Sequence, residues 1–196
     1  MKAVALGEAT ITAVAIPEGK VTQTCHVTVV SPTTPNDVNL IINEMLLANI
    51  DTEIDPSWNY GSCVELYNPS NDIVGLDRLY VTDDTTNLTK CAMKQSSLFI
   101  PAKGHALIWF DHHDDIFSPS QIDMKLNYNG GTLYITDGVK VVTKQDYPQS
   151  IGRASYARTM DGGDTWSWTH THTLNKSNST AAWYTNEQVE TPTVDE

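Results

Sequence analysis

Basic residues are scarce in this chain. Its 12 lysines and arginines stand against 24 aspartates and glutamates, for a formal charge of -12. That balance opposes binding to nucleic acid or anionic lipid, both of which need a basic face. It suits cations, sugars or basic partners. Cysteine is nearly absent too: Cys25, Cys63 and Cys91 are an odd number with no zinc-like spacing. They read as buried, inert thiols, with a Cys63–Cys91 disulfide left open. No apolar run reaches the length of a membrane span. Met1–Leu6 opens basic, but Gly7-Glu8 interrupts it too soon for a signal peptide. We read the start as a cut through a longer chain, whose upstream part could carry an export signal. Helical periodicity is missing throughout. So are a Gly-x-Ser-x-Gly elbow, a His-Glu-x-x-His pair, a phosphate loop and a dinucleotide fingerprint, so no known catalytic motif speaks for an enzyme.

What the chain does have is alternation. Hydrophobic residues make up 40% of it, enough for a real core. Tyrosine, tryptophan, threonine and valine tilt the composition toward strands. Cys63-Val64-Glu65-Leu66-Tyr67 reads as a strand that Asn68-Pro69-Ser70 stops, since proline removes a backbone donor. Ile41-Ile42-Asn43-Glu44-Met45 has the same build, and Leu46–Ile50 could continue it. Ala106–Phe110 is nearly all apolar, as a strand buried on both faces would be. Trp58 and Tyr60 are placed as lids over one end. Asn127–Gly131 and Asp137-Gly138 mark turns that admit positive φ. Short strands between regular turn signals predict an all-β fold, an immunoglobulin-like β-sandwich over residues 38–178. Residues 179–196 lose periodicity and read as a tail or linker. Ahead of the sandwich, residues 32–37 form a proline-bearing linker, and residues 1–31 alternate as a β-hairpin around Pro17–Lys20. A lone hairpin buries too little surface to be stable by itself, so we expect it to fray or to pack through its open edges.

The hairpin, through Gly7-Glu8-Ala9-Thr10-Ile11-Thr12-Ala13 and Cys25-His26-Val27-Thr28-Val29, resembles the last two strands of a group 2 bacterial immunoglobulin-like (BIG2) domain. The longer part resembles the bacterial lamin tail domain. The residues that carry this are Ile42-Asn43-Glu44, Val64 to Asn68, the looser Leu76, Tyr80, Val81 and Asp83, Pro101 to Gly104, Gly130 to Gly138, and Ser155 to Arg158. Two positions depart from the pattern: Cys63 stands in place of a tryptophan, and Thr173-Leu174-Asn175 in place of a closing Thr-Pro-Gly. The resemblance implies a non-catalytic module of an exported, multidomain protein, placed outside the cytoplasm at the cell surface, for display, adhesion or targeting. It carries over no catalytic residue and no cofactor. Animal relatives of the lamin type bind DNA, which the charge of this chain disfavours.

Three groups of residues are candidate sites, each beside a structural reading. Glu44 and Glu65, on neighbouring strands, are the minimum for glycoside hydrolysis if they face across a cleft; otherwise they bond backbone groups or an arginine such as Arg158. Asp111-His112-His113-Asp114-Asp115 offers metal ligands, Asp111, His113 and Asp115 foremost, with His105 or His170 able to join; otherwise it is a solvated loop. Trp166, Trp168, His170 and His172 fall in phase on one strand running to Leu174. Exposed, the indoles make a platform for sugar rings or a peptide, and the two histidines offer metal ligands; buried, the rings cover the core edge. The first expectation is a non-catalytic interaction or spacer module with a protein or glycan partner. The rivals are a carbohydrate-binding module and a metal-dependent hydrolase.

Overall fold

The computed structural model describes residues 5–14, 22–29, 39–93, 98–111, 118 and 120–184. The chain divides into two compact units, Met1–Pro32 and Thr33–Glu196. In the first, β1 (Gly7–Val14) and β2 (Thr22–Val29) pair antiparallel, with Ile11 opposite Cys25 and Ala9 opposite Val27. Both strands are largely exposed. The turn expected at Pro17–Lys20 and the linker at 32–37 lie outside the described residues.

The second unit is an all-β sandwich. Its strands are β3 (Ile41–Leu46), β4 (Ser62–Tyr67), β5 (Val74–Gly75), β6 (Tyr80–Thr82), β7 (Cys91–Ala92), β8 (Phe99–Ile100), β9 (His105–Phe110), β10 (Gln121–Ile122), β11 (Gly131–Thr136), β12 (Val141–Tyr147), β13 (Ser155–Arg158) and β14 (Trp166–Thr169). A six-stranded sheet runs β10-β9-β4-β3-β13-β14, and a four-stranded sheet runs β12-β11-β6-β7. A small ribbon, β5-β8, completes the set. Among the described residues, only the β10–β9 pairing is parallel.

Alternation explains the core. Ile42, Met45, Val64, Leu66, Ile108 and Phe110 of the larger sheet meet Val81, Leu133 and Ile135 of the smaller one. Burying each such side chain contributes roughly 1.5–3 kcal/mol. In β3 the phase slips. Ile42 and Met45 both face inward although three residues apart, because a β-bulge falls between Ile42 and Glu44. The bulge turns Glu44 and Leu46 outward, on the side of Cys63 and Glu65. On that outer face Leu46, Cys63, Trp109 and Leu174 form a second, smaller cluster.

The turns follow their chemistry. Asn68 Nδ2 donates to the carbonyls of Asp72, Ile100 and Pro101, tying the end of β4 to two turns. Gly130 has φ +100°, and a Cβ there would stand 3.0 Å from the Tyr147 carbonyl oxygen. Three expectations are corrected. β3 stops at Leu46, because Asn49 Oδ1 accepts from the Thr52 and Glu53 amides and turns the chain away. The last strand covers only Trp166–Thr169, because Thr169 Oγ1 accepts from the Thr171 amide and donates to the Ala182 carbonyl. Trp58 and Tyr60 are no lids: they are 85% and 45% exposed. None of the three cysteines is in a disulfide; Cys63 is buried on the outer face of one sheet and Cys91 lies half-buried against the inter-sheet core, but Cys25, on the hairpin, is exposed and not buried as expected. Past β14 the chain stays attached to it, since the Tyr184 amide donates to the Trp168 carbonyl at 2.9 Å.

Candidate functional site

Glu44 and Glu65 are opposed in the β3–β4 register, and both have no solvent exposure. No cleft separates them from the polypeptide above. The segment Thr173–Asn178 seals them in. Glu44 accepts from Thr173, through the amide (3.2 Å to Oε2) and the hydroxyl (2.6 Å). Glu65 accepts from Asn43 Nδ2 at 2.9 Å and from the Asn175 amide at 2.6 Å. Burial, and then the nearby Glu44 charge, push Glu65 up to about 8, against the donors from Asn43 and Asn175. The same burial raises the Cys63 thiol. Arg158 bonds neither acid; it donates to the carbonyls of Ile42 and Gly163.

Asp161 extends this network. Its Oδ1 accepts from Asn43 Nδ2 (3.1 Å) and from the Asn178 amide (3.0 Å). Burial raises its pKa, but the bonds from Asn178, Ser177 and Asn43 outweigh that and hold the carboxyl below its usual value. Asn178 reaches back to the carbonyls of Asn43 and Arg158. The arrangement is a polar lock tying residues 173–178 and Asp161 to β3 and β4, with its hydrogen-bonding capacity turned inward.

The two tryptophans are core-edge residues. Trp168 is 7% exposed, and the half-buried Trp166 packs on the main core. Tyr156 stacks on Trp166, ring centroids 4.9 Å apart, and Arg158 lies 4.8 Å over the Trp166 ring. The histidines do not join them. His170 Nδ1 lies 2.9 Å from the Arg153 carbonyl oxygen, and His172 Nδ1 lies 2.9 Å from Ser155 Oγ. Burial lowers the His172 pKa.

Of the acid–histidine cluster only Asp111 is described; His113 and Asp115 lie outside the described residues. His105 starts β9 and Asp111 follows its end, about 20 Å apart by strand rise, so His105 is no partner for Asp111. His105 Nε2 is instead buried 3.4 Å from Asp161 Oδ1. Among the described residues, no three metal-ligating side chains gather in one place.

A concave site lies at the sandwich end where β4 begins and β9 stops. A cleft of about 460 Å³ is lined by Asn59, Tyr60, Ser62, Asp111, Lys125 and Tyr128, within the usual range for small-ligand sites. Tyr128 is 56% exposed, on the Asn127–Gly130 turn. Asn59 and Tyr60 come from the Asp55–Gly61 loop, which Asp55 organises. Asp55 Oδ1 accepts from the Ser57 and Asn59 amides at 2.7 and 3.0 Å, while its backbone bonds Asn59 and Trp58. Trp58, at the tip, holds φ +64°. A bulky residue in that region is strained, and such residues gather at functional sites. Aromatic side chains beside an amide, a carboxylate and an ammonium group can stack on a sugar or clasp a peptide. The signal in the sequence was Asp55-Pro-Ser-Trp-Asn-Tyr, an Asx-type turn followed by aromatics.

No protein-family model, no curated protein and no solved structure matches this chain. No helix among the described residues is long and apolar enough to cross a membrane.

Proposed function

We propose that the chain is a non-catalytic recognition module of an exported, multidomain protein, acting outside the cytoplasm as an interaction, display or spacer unit. The observation that carries this is the division of labour in the sandwich. Its paired acids are sealed and hydrogen-bonded within the fold, whereas Trp58, Tyr60 and Tyr128, three of its exposed aromatics, belong to two loops around the cleft, with Trp58 85% exposed. The lamin-tail-like, immunoglobulin-like reading has physical support at one of its departures. Asn175 takes φ +60° where the resembling pattern has glycine, and asparagine is the side chain that best tolerates that region. The formal charge of -12 argues against a nucleic-acid partner.

The partner is a glycan or a protein. A glycan is favoured by the cleft beside Tyr60 and Tyr128, a better platform than the core-packed Trp166 and Trp168. A glycan array probed with wild type and with Tyr60→Ala/Tyr128→Ala tests this. We expect binding that the double variant loses. A ligand lost instead in Trp166→Ala overturns the assignment.

A further inference from the structure

Asp55 is 3% exposed, and only one of its carboxylate oxygens is used. Oδ2 is buried and has no hydrogen-bond partner. A half-satisfied buried carboxylate is costly, and native structures rarely leave one so. Its surroundings point to what it serves. A Cβ placed on Gly61 would lie 3.1 Å from Asp55 Oδ2, 3.2 Å from Asp111 Cβ and 3.4 Å from the Phe110 carbonyl oxygen. One small residue therefore lets the Asp55 carboxylate, the base of the Asp111 side chain and a carbonyl oxygen come close to a common point. Asp111 also lines the open cleft, and its Oδ2 is 3.4 Å from Asn59 Nδ2. The two acids belong to distant parts of the chain, the Asp55 loop and the end of β9, so nothing local forces them together.

We propose that Asp55 and Asp111 form a site for a hard divalent cation, Ca²⁺ foremost. The free Asp55 Oδ2 and the Asp111 carboxylate are its protein anchors, and water from the cleft supplies further oxygens. Oxygen-only donors with two carboxylates fit the preferences of that ion class. The ion gives the orphaned oxygen its partner. It also fixes the loop that carries Trp58 and Tyr60 to the end of the larger sheet. Its role is architectural, and it stands whether or not the loop end binds a glycan.

The test uses the full chain freed of metal with a chelator. Titration with CaCl₂ is followed by calorimetry, and thermal unfolding is compared in chelator and in about 1 mM CaCl₂. We expect saturable binding and a melting temperature raised by about 3 °C or more. Asp55→Asn keeps the Oδ1 acceptor for Ser57 and Asn59 and so preserves the loop. In chelator it should melt at or above wild type, because a buried carboxylate with one unpartnered oxygen becomes a neutral amide. In CaCl₂ it should lose the gain, as should Asp111→Asn. Asp83→Asn, at a surface turn elsewhere, should keep it. Absence of binding heat and of any melting shift overturns the proposal. So does a Ca²⁺ gain that persists in Asp55→Asn/Asp111→Asn.

Discussion

Glu44 faces Glu65 across the two central strands of the larger sheet, and a single segment, Thr173–Asn178, closes over both. Two acids on adjoining strands are a common arrangement for hydrolysis. Here the carboxylates accept from Thr173, Asn43 and Asn175 and meet no solvent. They fasten the C-terminal end of the domain to its first strand.

The pair predicts an alkaline loss of stability. The folded pKa of Glu65 is about 8, above its ordinary 4.5. A raised pKa means that its contribution is complete below about pH 4.5 and disappears as pH rises through about 8. The effect at neutral pH is on the order of 3 kcal/mol. His172 and Asp161, whose pKa values are depressed, act in the opposite sense at lower pH. Urea unfolding of wild type and Glu65→Gln between pH 5 and 9 isolates the Glu65 part. The difference between the two should move toward the variant as pH rises from 5 to about 8 and level off above that. A constant difference contradicts the assignment.

Thr173 carries the other half of the lock. Its hydroxyl donates to Glu44 at 2.6 Å and lies 2.9 Å from Asn178 Oδ1. Thr173→Val keeps the shape and leaves a buried carboxylate short of a donor. Unfolding free energy should fall by about 2 kcal/mol. Thr180→Val, at an exposed position, should change it by less than about 0.5 kcal/mol.

Asn175 tests the backbone at the same place. With φ +60°, Asn175→Gly should be tolerated within about 1 kcal/mol, since glycine enters that region freely. Asn175→Val should cost about 2 kcal/mol or more, because a β-branched side chain is strained there. Equal melting temperatures for the two variants would refute the role given to this turn.

Much of the sandwich was legible because its core obeys a period of two. Val64 and Leu66 face inward while Cys63 and Glu65 face outward, as simple alternation requires. The bulge was legible in principle, since the apolar phase breaks between Ile42 and Met45 over the polar pair Asn43-Glu44. The end of β14 was not. Trp166 to Leu174 alternates without a break, yet hydrogen bonds from Thr169 to Thr171 and Ala182 turn the chain out of the sheet. Local side-chain bonds of this kind compete with strand pairing and leave the period intact. The loop-end site was half legible. Trp58 and Tyr60 stood out, but only the conformation set by Asp55 decides that they point to solvent instead of covering the core.

The most direct test of the proposed recognition role is binding by matched variants on arrays of glycans and of cell-surface proteins. Wild type and Glu44→Gln/Glu65→Gln should bind the same ligand, in proportion to the fraction folded. Trp58→Ala/Tyr60→Ala/Tyr128→Ala should fold normally and lose it at least about tenfold, as expected when aromatic anchors are removed. Unchanged binding by the triple variant, or turnover of the ligand by wild type that the acid-pair variant abolishes, would contradict the account.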